Sequence, residues 1–318
     1  MKRAVYKNGE IKIIETQMPT LKGKGAIIKV HGCGLCGSDI VKIREKIENP
    51  ILGHEVVGEI IEINSDTDFK INDKVALGHH YPCFECEYCK NDSFSMCETF
   101  KKTNIEPCGF AEYIYVTEGH LKNTVFKVPE NLSDDEISFL EPLACVIRAI
   151  ERAQIKQGQK ALVMGLGSIG NLMAQSAKIY GADVYGYDIN EKRQKYSKLS
   201  FDKNLKYNII FMTSGATSAI DDAVKYVLSG GKIIVFSSVK DLNGYTNNDI
   251  YYRELSIIGS YSPAPYDYKI SYDLLKEGKI NTKGMSTTYN LDNLKNAIDD
   301  TINNKIMKAF IKIWKWKQ

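Results

Sequence analysis

The stretch "KALVMGLGSIGNLMAQSAKIYG", Lys160–Gly181, decides the fold of the second half of the chain. It begins with a short apolar run, turns at three closely spaced glycines, and continues with apolar residues at helical spacing as far as Gly181. A strand that enters a helix through a glycine-rich turn is the building unit of a parallel, doubly wound sheet. We therefore predict a strand, a tight turn and a helix in this stretch.

Four more buried-strand runs follow this unit. They are "DVYGYD" (183–188), "YNIIFMTSG" (207–215), "GKIIVFSS" (231–238) and "LSIIGSY" (255–261). With the first strand they predict a Rossmann-type α/β domain of about five strands over 146–262. Only "SFDKNLK", Ser200–Lys206, stands where a complete mononucleotide-binding half has another strand and helix. We expect the missing strand to be the sheet edge, and a dinucleotide to bind weakly there.

The glycines of the turn form the pattern G-x-G-x-x-G at Gly165, Gly167 and Gly170. The first makes the tight turn, the second lets the backbone approach a pyrophosphate, and the third allows close helix–strand packing. The amides of Ser168 and Ile169 at the helix start would face the phosphates.

An acidic residue ends the next strand of the predicted sheet. Asp188 stands where a carboxylate accepts hydrogen bonds from a ribose and repels a 2′-phosphate. The sequence therefore favours NAD over NADP. Arg193 lies close enough along the chain to soften that preference. A glycine-rich turn without a ligand is the alternative interpretation.

The first 140 residues indicate a different architecture. Short apolar runs such as "AIIKV" (26–30), "EVVGEIIEI" (55–63) and "KVALG" (74–78) are broken by Gly, Asn and Asp, which is typical of a β-rich domain. After Pro263 we predict two helices and a final strand in "AFIKIWKW" (309–316). We assign 1–145 and 263–318 to one domain, with a cysteine lobe at about 80–100.

Composition excludes several partner classes. The chain has 318 residues, which suits two domains, and its net charge of +3 is spread along the sequence. This gives no case for a nucleic acid or a membrane surface as partner. The start, "MKRAVYKNGEIKIIE", has no apolar signal-peptide core, and no apolar run approaches the ~20 residues that span a bilayer. We expect a cytoplasmic protein.

Half of the eight cysteines stand in "PCFECEYCKNDSFSMC", Pro82–Cys97. Stable disulfides are disfavoured in reduced cytosol, so such a cluster indicates metal ligands or reactive thiols. The ligand pattern is C-x2-C-x2-C-x7-C, at Cys83, Cys86, Cys89 and Cys97. Four thiolates complete a tetrahedral zinc shell and leave no open position, so this zinc would be structural. Four free thiols on a loop are the alternative.

A second set of residues could hold a catalytic zinc, which needs three protein ligands and one open position. "CGLCGSD" supplies Cys36 followed by Ser38 and Asp39, and "GHEVVGE" supplies His54 followed by Glu55. "FLEPLACV" adds the carboxylate of Glu141.

The other cysteines and histidines are better explained by structural roles than by metal binding or catalysis. Cys145, one helical turn after Glu141, is the rival ligand, although burial as a small apolar residue is the simpler role for it and for Cys33. We assign no role to Cys108. We expect His31, His79, His80 and His120 at the surface or in loops.

These motifs together resemble the zinc-dependent medium-chain dehydrogenases, and most closely the polyol branch of sorbitol and threonine dehydrogenases. The matching segments run across nearly the whole chain. They are "CGLCGSD", "GHEVVGE", the cysteine lobe, "GFAEY" (109–113), "EPLACV" (141–146), "VMGLGSIG" (163–170) and "LSIIGSY".

The resemblance implies a GroES-like catalytic domain beside the Rossmann domain. It implies a catalytic zinc on Cys36, His54 and Glu141, with Glu55 able to approach the metal in place of water. Asp39 would hydrogen-bond the zinc-bound histidine. It also implies two zinc ions per chain and a homodimer or homotetramer.

The function expected from this resemblance is hydride transfer between a secondary alcohol or polyol and NAD. An alkoxide would form on zinc, and Ser38 would carry the proton outward. The family's relay histidine is replaced by Val41, so Lys42 or the cofactor ribose would have to finish the relay.

The substrate stays open among sugar alcohols, inositol-like rings, phosphorylated polyols and simple secondary alcohols. Two alternatives remain: a zinc-free enone or quinone reductase, and a non-catalytic dinucleotide-binding protein that keeps only the structural zinc.

Overall fold

The computed structural model describes residues 1–215, 218–237 and 244–314. The chain forms two compact units, one of Met1–Pro142 with Ala264–Gln318 and the other of Leu143–Pro263. The first boundary falls inside one helix, Leu140–Ala153, three residues before the boundary expected after residue 145. Pro142 does not break this helix because a proline in the first turn has no intrahelical N–H bond to lose.

Strands occupy both units. In chain order they are β1 Lys2–Lys7, β2 Glu10–Glu15, β3 Gly25–Gly34, β4 Glu55–Asn64, β5 Lys74–Leu77, β6 Tyr113–Thr117, β7 Val125–Lys127, β8 Lys160–Met164, β9 Asp183–Tyr187, β10 Tyr207–Met212, β11 Val227–Val235, β12 Ser256–Gly259, β13 Ser286–Asn290 and β14 Lys308–Lys312.

The helices differ more in length than the strands. In chain order they are α1 Gly37–Arg44, α2 Glu87–Lys90, α3 Glu98–Lys102, α4 Glu118–Asn123, α5 Asp134–Ile137, α6 Leu140–Ala153, α7 Ser168–Ile179, α8 Glu191–Ser197, α9 Ser218–Tyr226, α10 Asn247–Arg253, α11 Pro265–Lys276 and α12 Leu294–Ile302. Two short 3-10 turns cover Phe94–Met96 and Leu291–Asn293.

The first unit is built on a sheet in the order β13-β14-β3-β4-β5-β7, with β6 also paired to β3. Strand β3 pairs antiparallel with β4, β6 and β14, so "GAIIKVHGCG" is covered along its length and nearly all its residues are buried. The apolar core of this unit includes Ile28, Val30, Ile60 and Ile311. This confirms the β-rich character expected from the sequence.

The second unit is a five-stranded parallel sheet in the order β12-β11-β10-β8-β9. Each strand-to-strand connection described contains a helix, as parallel pairing requires. Buried residues such as Leu162, Ile210 and Ile233 form its core. The Rossmann-type sheet of about five strands is therefore confirmed.

The shortened connection after α8 leaves β9 at the edge of this sheet. Ser200 O accepts the Gly186 N–H at 3.0 Å, and the Gln194 side chain donates to Gly186 O at 3.1 Å. These contacts satisfy backbone groups that a further strand would otherwise pair, which limits the exposure of an open edge.

The C-terminal strand is shorter than the sequence predicts, because β14 ends at Lys312 and Trp314 instead donates its indole N–H to Val30 O at 2.7 Å. Lys315 and Trp316, the last residues of the predicted strand, lie outside the described residues. The sequence also missed β13, whose five residues are mostly polar. Within the described parts of the chain, every helix is too short or too polar to cross a membrane.

Candidate metal centres and dinucleotide turn

The cysteine lobe brings its four thiols to one point. The ligand atoms of Cys83, Cys86, Cys89 and Cys97 all lie within 4.8 Å of one another. The sulfurs lie 3.5 Å apart for Cys86–Cys89, 3.5 Å for Cys97–Cys83 and 3.9 Å for Cys83–Cys89. Sulfurs at Zn–S bond length in a tetrahedron are about 3.8 Å apart. The donor set and its spacing therefore fit a structural zinc ion.

Local backbone geometry favours thiolates in this lobe. Cys86 precedes α2 and Cys97 precedes α3, so short helical segments follow both side chains. Burial opposes ionisation of Cys97, but the backbone N–H groups of Cys83 and Phe100 lower its pKa to about 6. Burial raises the pKa of Cys89 to about 12, and a metal would have to displace that proton.

A second group combines Cys36, His54 and Glu55, whose ligand atoms also lie within 4.8 Å of one another. Cys36 caps the start of α1, and His54 with Glu55 opens β4. Sulfur, imidazole and carboxylate are the three donor types that catalytic zinc takes in proteins. Three such donors fit a zinc ion and leave one of its four coordination positions for a further ligand.

Asp39 orients the histidine of this group. It is fully buried and accepts the Gly53 N–H at 3.0 Å and the Cys36 N–H at 3.2 Å. Its Oδ1 lies 3.6 Å from His54 Nδ1, which leaves His54 Nε2 for a metal. Burial disfavours a charged imidazole, yet Asp39 and Cys36 hold the pKa of His54 well above its usual value. Metal binding would therefore release a proton.

Glu55 is held from the other side by Lys308, which the sequence analysis missed. Lys308 Nζ lies 2.5 Å from both carboxylate oxygens of Glu55, and both side chains are buried. Burial lowers the pKa of Lys308, but the charges of Glu55, Cys36 and Glu141 outweigh it and raise the pKa. The sequence feature that could have indicated its burial is the position of this lysine at the start of the apolar run "KAFIKI".

Glu141 is buried in the first turn of α6, but it is not part of the group of ligand atoms formed by Cys36, His54 and Glu55. Its charge helps to raise the pKa of Lys308, so Glu141 lies near the ion pair of Lys308 and Glu55. The rival Cys145 is partly buried further along α6.

The three residues that the sequence analysis related to a proton route, Ser38, Val41 and Lys42, all lie on α1. Ser38 is exposed in the first turn of α1, and Val41 is also largely exposed. Lys42 Nζ donates to Ile51 O at 2.8 Å and stands 4.0 Å from Asp39 Oδ1.

A set of histidines extends from this group towards the cysteine lobe. The ring of His79 lies 4.6 Å from that of His54 and 4.0 Å from that of His80, measured between centroids. His80 in turn packs on Phe100 of the lobe at 4.8 Å. Burial, with the charge of His54 next, holds the pKa of His79 well below its usual value.

The expectation for His120 was wrong. Its side chain is fully buried in α4, because Nε2 can donate to His79 O at 3.0 Å while Nδ1 accepts the Thr117 N–H at 3.2 Å. With both nitrogens satisfied, a histidine can be buried without an unpaired polar group.

The dinucleotide turn lies in the second unit. Gly165 has φ +98°, which other residues rarely adopt, and a Cβ on Gly170 would stand 1.8 Å from Gly165 O. A Cβ on Gly167 would meet nothing closer than Arg193 Nη1 at 3.8 Å, so this face is open to a ligand. Ser168 and Ile169 begin α7, whose amides would meet a phosphate.

Asp188 follows β9 and closes the turn. Its Oδ2 accepts the Leu166 N–H and its Oδ1 accepts the Asn190 N–H, both at 2.7 Å. The carboxylate is thereby fixed beside the glycine turn. The open face at Gly167 and this acidic group fit a bound dinucleotide.

Comparison with known proteins agrees with this arrangement. Residues 22–130 match the family described as "Alcohol dehydrogenase GroES-like domain". D-arabinitol dehydrogenase 1 of Uromyces fabae is 25% identical over 95% of this chain and 94% of its own length. Sorbitol dehydrogenase of Bacillus subtilis is 27% identical over 98% and 97%.

A solved structure extends the similarity to three dimensions. Galactitol-1-phosphate dehydrogenase of Escherichia coli superposes with a TM-score of 0.85 at 25% identity, over 98% of this chain and 100% of that one. The family match, the full-length relatives and the metal-ligand groups agree with one another. Residues 22–130 thus form an alcohol dehydrogenase GroES-like domain, and the whole chain is similar to zinc-type alcohol and polyol dehydrogenases.

Proposed function

We propose that this protein oxidises a secondary alcohol or polyol with NAD, and catalyses the reverse reduction. The observation that carries the proposal is the group of Cys36, His54 and Glu55. Asp39 contacts His54 and Lys308 contacts Glu55, so two of these three side chains are fixed by buried partners. A protein that only bound a dinucleotide, or a zinc-free reductase, would have no use for this buried arrangement.

In this proposal Cys36 and His54 are zinc ligands, and Glu141 is the third. Glu55 lies within ligand distance of the same point and would exchange with substrate or water. Zinc held there would act as a Lewis acid and lower the pKa of an alcohol hydroxyl. Asp39 keeps His54 in one orientation, and Lys308 sets how far Glu55 can move.

The proton and hydride need separate acceptors. Ser38, exposed near the start of α1, would accept the hydroxyl proton and pass it outward. Lys42 would take part only after leaving Ile51 O, to which it donates. The dinucleotide supplies the hydride acceptor. Its pyrophosphate would lie at Gly165, Gly167 and Gly170 with Ser168 and Ile169, and its ribose at Asp188.

Several finer assignments belong to the same proposal. Two zinc ions per chain follow from two ligand groups of matching chemistry. NAD is preferred because the fixed Asp188 carboxylate repels a 2′-phosphate, although Arg193 stands close to the turn. A cytoplasmic location suits eight cysteines of which none forms a disulfide bond. Assembly as a homodimer or homotetramer follows from the family resemblance.

A substrate panel tests the proposal. Purified zinc-loaded protein is offered sugar alcohols, phosphorylated polyols, cyclic polyols and simple secondary alcohols, each with NAD and with NADP. We expect at least one polyol to reduce NAD, with Lys42→Ala and Ser38→Ala changing the pH profile differently. Turnover with enones or quinones alone, or none with any compound, would contradict the proposal.

A further inference from the structure

One ring nitrogen close to the candidate catalytic group is left without a partner. His79 Nδ1 is buried, and no described residue accepts from it or donates to it. Arg3 Nε is the other buried side-chain nitrogen in this state among the described residues, and it lies at the N-terminal strand. A buried polar atom that is unpaired in the free protein costs stability and is a recurrent mark of a ligand site.

The neighbouring histidines show that this is specific to His79. His80 Nδ1 is hydrogen-bonded to Thr103 O. His120 uses both ring nitrogens, with His79 O and with Thr117. The rings of His79, His80 and His120 are close in the structure, but only those of His80 and His120 have their Nδ1 atoms hydrogen-bonded to protein partners.

The position of His79 relates it to the reacting group. Its ring contacts the ring of His54, at 4.6 Å between centroids with the planes tilted by 44°. His54 turns Nδ1 towards Asp39, so its other nitrogen defines the side on which the metal, and hence the reacting hydroxyl, would lie. A substrate on that side of His54 would therefore lie close to the His79 ring.

We propose that His79 Nδ1 hydrogen-bonds a second hydroxyl group of the substrate, and that this contact selects polyols over mono-alcohols. The inference rests on the proposed function, since it assumes that the reacting hydroxyl lies at Cys36, His54 and Glu55. Hydroxyl groups suit this nitrogen because an O–H can donate to it or accept from it, whichever tautomer is present. A site built to bond a hydroxyl rejects the analogue without it, because its own polar group is then left unpaired.

The experiment compares a secondary mono-alcohol with the diol of the same carbon skeleton. Dissociation constants are measured by calorimetry on zinc-loaded protein with reduced dinucleotide present, which prevents turnover, and kcat/KM is measured separately with NAD. The variants are His79→Phe, which removes the nitrogen, and His79→Gln, which keeps a hydrogen-bonding group. His80→Phe is the matched control, since the Nδ1 atom of that ring already has a protein partner.

We expect His79→Phe to raise the dissociation constant of the diol at least ~10-fold and to leave that of the mono-alcohol within about 2-fold. His79→Gln should retain part of the selectivity, His80→Phe all of it, and zinc content should not change. Equal losses for both compounds, or no loss for either, would overturn the inference while leaving the proposed function intact. If the parent protein neither binds nor oxidises any alcohol, both fail together.

Discussion

Lys308 Nζ and the carboxylate of Glu55 form a buried ion pair, 2.5 Å apart, although 253 positions separate them in the chain. The two side chains are 5% and 2% exposed, so neither charge has water to solvate it. A pair of this kind stabilises little compared with an apolar pair, but removal of one partner leaves a buried charge uncompensated. The C-terminal strand thus fixes a residue of the candidate zinc site.

We predict that Lys308→Met lowers the free energy of unfolding by about 3–5 kcal/mol. Urea denaturation of the metal-free protein measures it, with the exposed Lys295→Met as control, for which about 0.5 kcal/mol or less is expected. Adding Glu55→Gln to Lys308→Met should recover part of the loss, because the uncompensated charge is then gone. A loss under about 1 kcal/mol for Lys308→Met would contradict this account of the pair.

The cysteine lobe should lose its metal when any one of its thiols is removed. Cys97→Ala takes away one of four ligands from a site that has no open position, so we expect one zinc fewer per chain and a lower melting temperature. The control is Cys108→Ala, because Cys108 is buried outside both ligand groups. Unchanged zinc in Cys97→Ala would mean that the lobe is held by packing alone.

The dinucleotide turn offers two glycines with opposite constraints. Gly167→Ala places a methyl group in open space, so the protein should keep its stability but bind NAD at least ~10-fold more weakly. Gly170→Ala drives a methyl group into Gly165 O and should cost about 1–3 kcal/mol of stability by overpacking.

Calorimetric NAD titration and thermal melting separate the two effects. The parent dissociation constant is expected to be micromolar or weaker, because the sheet lacks the strand beyond β9. Parent-like binding by Gly167→Ala, or a submicromolar parent constant, would count against this account of the turn.

His120 should make stability depend on pH. Burial lowers its pKa to about 4 in the folded protein, against about 6.5 when unfolded. Between these values only the unfolded chain takes up the proton, so stability falls as the pH drops from about 6.5 to about 4, by about 3 kcal/mol. A proton on Nδ1 would also face the Thr117 N–H.

The test of this prediction is the difference between parent and His120→Asn in unfolding free energy across that pH window. His80, with a pKa of about 4 as well, titrates in the same window and remains in both proteins. In the variant, the unfolding free energy should therefore still depend on pH in this window, but with a shallower slope than in the parent. Identical slopes would show that His120 does not contribute.

Much of the fold and of the metal chemistry could be predicted because it depends on local patterns. The glycine turn, the parallel strands after it and the spacing of the four cysteines all lie in short continuous stretches. The absence of one sheet strand was predictable for the same reason, since the seven residues of "SFDKNLK" cannot hold a strand and a helix.

The features that were missed depend on pairing across long distances. Lys308 looks like an ordinary charge at a strand start, and only the pairing of β14 with β3 reveals its carboxylate partner. The mostly polar β13 gave no apolar signal, but it pairs parallel with β14. His120 looked like a surface residue because its acceptors lie on Thr117 and His79, one of them in another segment.

Zinc content per chain, measured beside NAD reduction, tests the central claim most directly. The comparison is between the parent, Cys36→Ser, and Cys33→Ala as a matched control, because Cys33 is buried in β3 outside both ligand groups. We predict two zinc ions per chain in the parent and in Cys33→Ala, and one zinc with no alcohol-dependent NAD reduction in Cys36→Ser. One zinc in the parent that Cys36→Ser leaves unchanged, or full activity in that variant, would contradict a catalytic metal at Cys36, His54 and Glu141.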